Sequence, residues 1–97
     1  MSSSKLKSKM VDELFEAILS LKKVEDCYKL FEDLCTVNEI HSLAQRFAVA
    51  RMLDEGKKYD EITAKTGAST ATISRVKRFL DYGADGYRLV LDRIKNN

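Results

Sequence analysis

The complete absence of proline is the feature that most constrains what this chain can fold into. Its 97 residues contain four glycines, and these stand between segments of helical length. Proline interrupts helices because it lacks a backbone donor, whereas glycine supplies the positive φ angles that helix ends often need. The sequence therefore predicts an all-α fold, and its 44% of hydrophobic residues is enough for the core of one small domain.

Apolar residues recur at helical spacing and predict six helices. The expected spans are residues 9–22, 24–35, 36–55, 59–66, 70–82 and 85–95. The third helix starts with a capping box, because the Thr36 hydroxyl and the Glu39 carboxylate can each accept the other residue's backbone N–H, and it stops at Gly56. Residues 1–8 are expected to form a flexible basic arm, and residues 9–97 a single helical domain.

The same pattern predicts which side chains are buried. The third helix has apolar residues on more than one face, so we expect it to be buried on two sides, against several helices that can include those of a partner subunit. Tyr28 fits an apolar stripe and is expected in the core, and Phe79 is expected to pack beneath its own helix. Cys27 and Cys35 have no Cys-x-x-Cys or His/Cys partners, which predicts buried reduced thiols and neither a disulfide nor a metal site.

Charge is distributed unevenly along the chain. The net charge of +2 would not identify a nucleic-acid binder, but residues 11–39 carry eight acids and three bases, whereas residues 40–97 carry eleven bases and seven acids. Residues 65–80 contain four bases and no acid. This local asymmetry is what a small basic footprint for nucleic acid requires.

Several classes of function find no support in the sequence. His41 is the single histidine, no serine has a general base at a recognisable spacing, and no glycine-rich phosphate loop occurs, so we expect neither an enzyme nor a metal site. No apolar run approaches the roughly 18 residues that cross a bilayer, and the N-terminus lacks the apolar centre of a secretory signal. These features predict a cytoplasmic protein without a membrane partner.

Residues 59–80 have the pattern of a helix-turn-helix, in which two helices cross over a short turn. Gly67 stands where the first helix should end. Thr63 and Ala64 are small where a bulky side chain would hold the helices apart, and Ser69 or Thr70 can cap the second helix. The expected apolar seam between the helices consists of Ile62, Ala68, Ile73 and Val76.

The second helix of this pair has an outward face that suits DNA. Short polar residues lie near its start, where they could approach base edges, and long cations lie further along, where they could reach phosphates. The expected DNA-binding residues are Ser69, Thr70, Ala71, Ser74, Arg75, Lys77 and Arg78, with Lys65 from the first helix.

Three segments of the chain resemble the Trp repressor family, and the whole chain is similar to its YerC/YecD branch. The segments are Leu-Cys-Thr-Val-Asn-Glu-Ile at 34–40, Ala-Gln-Arg-Phe at 44–47, and residues 59–78. The resemblance implies a six-helix fold, an intertwined homodimer whose N-terminal helices build a shared core, and a fourth and fifth helix that read DNA. It also implies transcriptional repression.

The co-repressor site of that family is matched only in part. Arg46 and Arg75 fall where the family has the two arginines that sandwich the indole of tryptophan, so the resemblance marks them as a possible effector site. Val76 stands in place of a glycine that faces the ligand, and Phe79 in place of a serine that helps to hold its amino group. Asp60 replaces a basic residue near the DNA. We therefore expect no tryptophan co-repressor, no other identifiable cofactor, and a different operator.

The sequence thus predicts a sequence-specific regulator that binds double-stranded DNA as a homodimer. The alternative is a protein-interaction adaptor that keeps the helix-turn-helix only as a scaffold. The acidic segment 11–39 and Asp60 favour this alternative.

Overall fold

The computed structural model describes residues 4–96 and contains six α-helices, with no strand in that range. The helices are α1 (Lys9–Leu19), α2 (Val24–Leu34), α3 (Val37–Asp54), α4 (Tyr59–Thr66), α5 (Thr70–Tyr82) and α6 (Gly86–Lys95). The predicted all-α, six-helix fold is confirmed. The largest difference in bounds is at the end of α1, where the Ser20 hydroxyl donates to the Ala17 carbonyl at 2.6 Å and the backbone tightens into i→i−3 hydrogen bonds.

The helices divide into two compact units, one that ends at Val37 and one that begins at Asn38. The single domain over residues 9–97 and the flexible arm over residues 1–8 stay predictions, and residues 1–3 and 97 lie outside the described part of the chain. In the described part of the arm, Lys7 pairs with Asp12. Ser8 caps α1, because its hydroxyl oxygen accepts the Val11 N–H at 3.1 Å.

The first unit buries none of the residues of α1 or α2. Leu19 is 83% exposed and Tyr28 is 65% exposed, so Tyr28 does not lie in the core of the single chain, contrary to the prediction. Cys27 is exposed and Cys35 is half-buried, so the prediction of buried thiols is also wrong. The reason is that a helix of 11 residues presents an apolar stripe but cannot cover it, and burial requires an opposing surface.

The second unit holds the core. Six residues form a single buried cluster, with the half-buried Met52, Leu53, Tyr59 and Tyr87 packed against it. The cluster consists of Val49, Ala50, Ile62, Ala68, Ile73 and Val76. The predicted seam of the helix-turn-helix is therefore buried as expected, and α3 contributes Val49 and Ala50 to it.

The helix α3 is partly buried within the single chain. Val49 and Ala50 are its fully buried residues, whereas Leu43 is 48% exposed. Burial of α3 on two sides, to which a partner subunit can contribute, stays a prediction. The core lies against the C-terminal half of α3, where Val49 and Ala50 are buried. Gly56 has a φ of 80° just beyond α3, which agrees with its predicted role in ending the helix.

The last helix is fixed to the end of α3 by packing and by charge. Leu91 is 2% exposed. The carboxylate of Asp54 accepts from Arg88 at 2.7 Å and from Lys95 at 2.6 Å, and these two hydrogen bonds lower the pKa of Asp54. None of the helices within residues 4–96 is both long enough and apolar enough to cross a membrane.

Candidate nucleic-acid interface

The turn between α4 and α5 is held by glycine and threonine. Gly67 has φ 74° and ψ 4°, a left-handed conformation, and its N–H donates to the Thr63 carbonyl at 2.9 Å. The Thr66 hydroxyl donates to the Ile62 carbonyl at 2.8 Å and accepts the Ala68 N–H at 3.1 Å. Gly67 thus performs its predicted role, and the local hydrogen bonds fix the angle at which α5 leaves the turn.

A side chain from α3 also holds this turn, and sequence reasoning missed it. The Gln45 Nε2 amide donates to the Thr66 carbonyl at 3.1 Å. That carbonyl belongs to the last residue of α4, where no later helical N–H satisfies it. Because the two residues are 21 positions apart, no sequence spacing indicates the contact. The hydrogen bonds of the Thr66 hydroxyl to the backbone of the turn could have been predicted from the sequence, since threonine often bonds to backbone groups near helix ends.

The small residues of α4 lie elsewhere than predicted. Thr63 and Ala64 are exposed, so the interpretation that they allow the two helices to approach is wrong. Ile62 is fully buried and Thr66 half-buried, and these residues occupy the side of α4 that meets the core. The spacing of the helix accounts for the difference, since residues 63 and 64 lie away from the face shared by 62 and 66.

The cap of α5 is Ser69, one of the two predicted residues. Its hydroxyl oxygen accepts the Thr72 N–H at 3.1 Å, and its hydroxyl donates to the Thr72 side chain at 3.2 Å. The hydroxyl of Ser69 is therefore engaged within the protein, whereas Thr70, the first residue of α5, is exposed.

The structure places the outward face of α5 as the sequence predicts. Ile73, Val76 and Leu80 are buried on the inner side of α5. The eight predicted DNA-binding residues are all exposed: Lys65, Ser69, Thr70, Ala71, Ser74, Arg75, Lys77 and Arg78. The exposed set is uncharged at the start of α5 and cationic from Arg75 onward, so the turn and the core together present a polar-to-cationic surface to solvent.

One of the cations on this face is paired. The Lys77 Nζ donates to the Asp81 carboxylate at 3.0 Å, and this hydrogen bond raises the pKa of Lys77. No ion pair is found for Lys65, Arg75 or Arg78 within the described residues. Lys77 is thus protonated at neutral pH but is already neutralised locally.

The two positions that depart from the co-repressor site lie in different surroundings. Val76 is 2% exposed and belongs to the core cluster. Phe79 is 51% exposed, so the prediction that it packs beneath α5 is wrong, because Leu80 takes the inward position of that turn. Arg46 is half-buried and Arg75 exposed, and their role as an effector site stays a prediction.

Known proteins are similar to this one over nearly the whole chain. The family model for the Trp repressor protein matches residues 9–95. The protein YerC of Bacillus subtilis (strain 168), described as uncharacterized, is 62% identical over 95 residues, which cover 98% of this chain and 91% of YerC.

Two crystal structures resemble the whole fold. A candidate Trp repressor from Staphylococcus aureus has a TM-score of 0.90 and 55% identity, and the match covers 98% of this chain and 95% of the other. A TrpR-like protein from Eubacterium eligens also has a TM-score of 0.90, with 59% identity and 94% of each chain covered.

Six helices, a glycine-centred turn and an exposed polar-to-cationic helix face define a helix-turn-helix protein. The chain belongs to the Trp repressor family, a regulatory and non-enzymatic family.

Proposed function

We propose that this chain is a sequence-specific DNA-binding transcriptional regulator, acting as a repressor, that inserts α5 into the major groove. The observation that carries the proposal is the exposure of Thr70 and Ser74 on the side of α5 opposite Ile73 and Val76, which are buried. A recognition helix must pack against the core on one side and be exposed to solvent on the other, and α5 meets both requirements. Membership of the Trp repressor family supports the same function.

The order of residues along α5 suits the approach to a duplex. Thr70, Ala71 and Ser74 are short, which lets the N-terminal half of the helix come close to base edges. Arg75 and Arg78 follow and can donate charge-assisted hydrogen bonds to phosphates, and Lys65 can do so from α4. Affinity for DNA should therefore fall steeply with salt, because each neutralised phosphate releases counterions.

The active species is proposed to be a homodimer. Large apolar side chains of the first unit, such as Leu19 and Tyr28, are exposed in the single chain, and several exposed apolar side chains on one small unit favour an interaction site there. A second copy would cover it and would place two α5 helices in successive major grooves about 34 Å apart, a geometry known for the Trp repressor itself. Such a regulator would act in the bacterial cytoplasm, where the chromosome lies.

Tryptophan is not the proposed effector. Val76 is a core residue, so it brings a branched side chain to a position at which the family's ligand site has a glycine. Phe79 offers no polar group for an amino group of the ligand. Arg46 and Arg75 remain available for a different effector.

Selection of genomic fragments at near-physiological salt tests the proposal. A regulator should recover fragments that share a palindrome. Recovery without a common sequence, with binding that salt abolishes, would instead favour a protein-interaction adaptor, which the exposed Asp60 and the paired Lys77 make the second candidate.

A double variant, Lys77→Ala with Arg78→Ala, tests the proposed surface itself. Both side chains are exposed, so the variant should fold normally and should bind all sequences more weakly. Unchanged binding of the selected fragments by this variant would mean that DNA contacts another face.

A further inference from the structure

The pair formed by Lys77 and Asp81 stands on the same helix as the proposed DNA-reading face. Its N–O distance is 3.0 Å, and the two side chains are 52% and 40% exposed. The residues are four positions apart, so their hydrogen bond lies within one turn of α5. Beyond this turn, the charge of Asp81 helps to raise the pKa of Arg88 in α6, but less than Asp54 and Asp92 do. By contrast, Asp54 joins α3 to α6, because its partners Arg88 and Lys95 are more than 30 residues away. The pair on α5 has no comparable role in tertiary structure.

The stability of α5 does not explain the presence of Asp81 either. Asp81 lies in the last turn of α5, where the helix dipole disfavours a negative charge, and α5 has no basic residue in that turn. The pair has lysine before aspartate, which is the weaker order for an i, i+4 ion pair. Exposed pairs of this kind add little to folding. Apart from a weak attraction to Arg88, Asp81 thus adds little to the stability of α5.

The effect of Asp81 on the surface charge is specific. Residues 65–80 contain no acid, and Asp81 is the first acidic residue after them. Its carboxylate neutralises one of the three cations of α5, while Arg75 and Arg78 have no ion-pair partner in the part of the chain that the structure describes. A carboxylate at this distance competes with a DNA phosphate for the same ammonium group.

We propose that Asp81 is an affinity-setting residue, which holds Lys77 in an internal ion pair and so weakens binding to DNA. This inference rests on the proposed function, since it concerns the same surface. In the wild-type protein Arg75 and Arg78 supply the main phosphate contacts of α5, and Lys77 contributes only after its pair with Asp81 has opened. Removal of the carboxylate frees one cation in each protomer.

The test is a double-variant cycle with Asp81→Asn, Lys77→Met and their combination. The probe is a fluorescein-labelled duplex of random sequence, about 30 base pairs long, titrated at several salt concentrations. Asp81→Asn should bind about 3- to 10-fold more tightly at roughly 0.1 M salt, and its salt dependence should steepen by about 1.8 in slope if each protomer of a dimer gains one phosphate contact. In the Lys77→Met background most of this gain should disappear.

Asp92→Asn is the matched control. Asp92 is also an exposed acid four residues after a cation, and its carboxylate lies 3.9 Å from Arg88, but it belongs to α6. The variant removes the same formal charge outside the helix-turn-helix and should leave DNA binding close to that of the wild type. Thermal unfolding of every variant verifies the fold, and Asp81→Asn is expected to be no less stable than the wild type.

The outcomes separate the inference from the function on which it rests. Wild-type binding with no gain in Asp81→Asn overturns the inference and leaves the function standing. So does an equal gain with and without Lys77, because the carboxylate would then act by general repulsion. A gain of the same size in Asp92→Asn would have the same meaning. Failure of the wild type and all variants to bind the duplex even at low salt removes the proposed function and the inference together.

Discussion

Gln45 in α3 donates its side-chain amide to the main-chain carbonyl of Thr66, the last residue of α4, at 3.1 Å. This hydrogen bond connects the helix that carries part of the core to the turn that aims α5. It satisfies a carbonyl that the end of α4 leaves without a helical partner. The position of the proposed reading helix thus depends on a residue outside the helix-turn-helix.

Replacement of Gln45 by Ala should lower stability by about 1 kcal/mol, the usual value of one such hydrogen bond. DNA affinity should fall as well, because the angle between α4 and α5 loses a restraint. Chemical denaturation and duplex binding measure the two effects. Ser42→Ala, an exposed change in the same helix, is the control and should lower neither stability nor affinity. Unchanged stability in Gln45→Ala would show that the contact does not hold the turn.

Gly67 and Gly86 should respond in opposite ways to alanine. Gly67 has a φ of 74°, and an added Cβ would meet only the Gln45 amide at 3.9 Å, so the cost comes from the backbone conformation and should be about 1 kcal/mol. Gly86 begins α6 with nothing within 4 Å of an added Cβ and without a positive φ, so alanine should stabilise the protein by about 0.4–1 kcal/mol. Unfolding midpoints compare the two, and equal shifts would contradict the assignment of the turn.

Substitutions of Ser69 distinguish an effect on folding from an effect on DNA binding. Ser69→Ala should cost about 1 kcal/mol, because α5 loses its side-chain cap. Ser69→Asp should keep the cap and the stability, but it adds a negative charge beside the proposed phosphate contacts and should weaken duplex binding. Ser69→Asn keeps the cap without charge and is the control for both. Full DNA affinity in the aspartate variant would place the DNA away from the start of α5.

The lowered pKa of Asp54 predicts that the protein loses stability in acid. Its pKa is lowered from 3.8 by hydrogen bonds from Lys95 and Arg88, so the folded state prefers the ionised form more strongly than the unfolded state does. The stabilisation is complete above the unfolded value and is lost as pH falls from about 3.8 through the depressed folded value. The free energy of unfolding, measured across this window, should fall less in Asp54→Asn than in the wild type.

The control for the contribution of Asp54 to acid unfolding is Asp92→Asn. That variant removes a carboxyl 3.9 Å from the same Arg88 and should retain the wild-type pH dependence in this window. At neutral pH, Asp54→Asn should cost about 1–3 kcal/mol, as expected for hydrogen bonds to charged groups. An unchanged acid limb in Asp54→Asn would show that other carboxyls control acid unfolding.

Much of the candidate site was predictable because it depends on local chemistry. The left-handed turn at Gly67, the cap at Ser69 and the bare face from Thr70 to Arg78 each follow from residue types within a few positions. The buried seam of Ile62, Ala68, Ile73 and Val76 follows from helical spacing. The exposed positions of Thr63, Ala64 and Phe79 were predicted wrongly. Thr63 and Ala64 lie away from the face shared by Ile62 and Thr66, and Leu80 takes the inward position beside Phe79.

The sequence by itself determined the six helices, the turn and the order of polar and cationic residues along α5, since backbone conformation and helix capping depend on near neighbours. Only the tertiary structure decided that Gln45 holds the turn, that Asp54 joins α3 to α6, and that Cys27 is exposed. Contacts between residues 20 to 40 positions apart depend on how helices pack, and burial depends on whether another surface covers a stripe. Neither is encoded in the spacing within one helix.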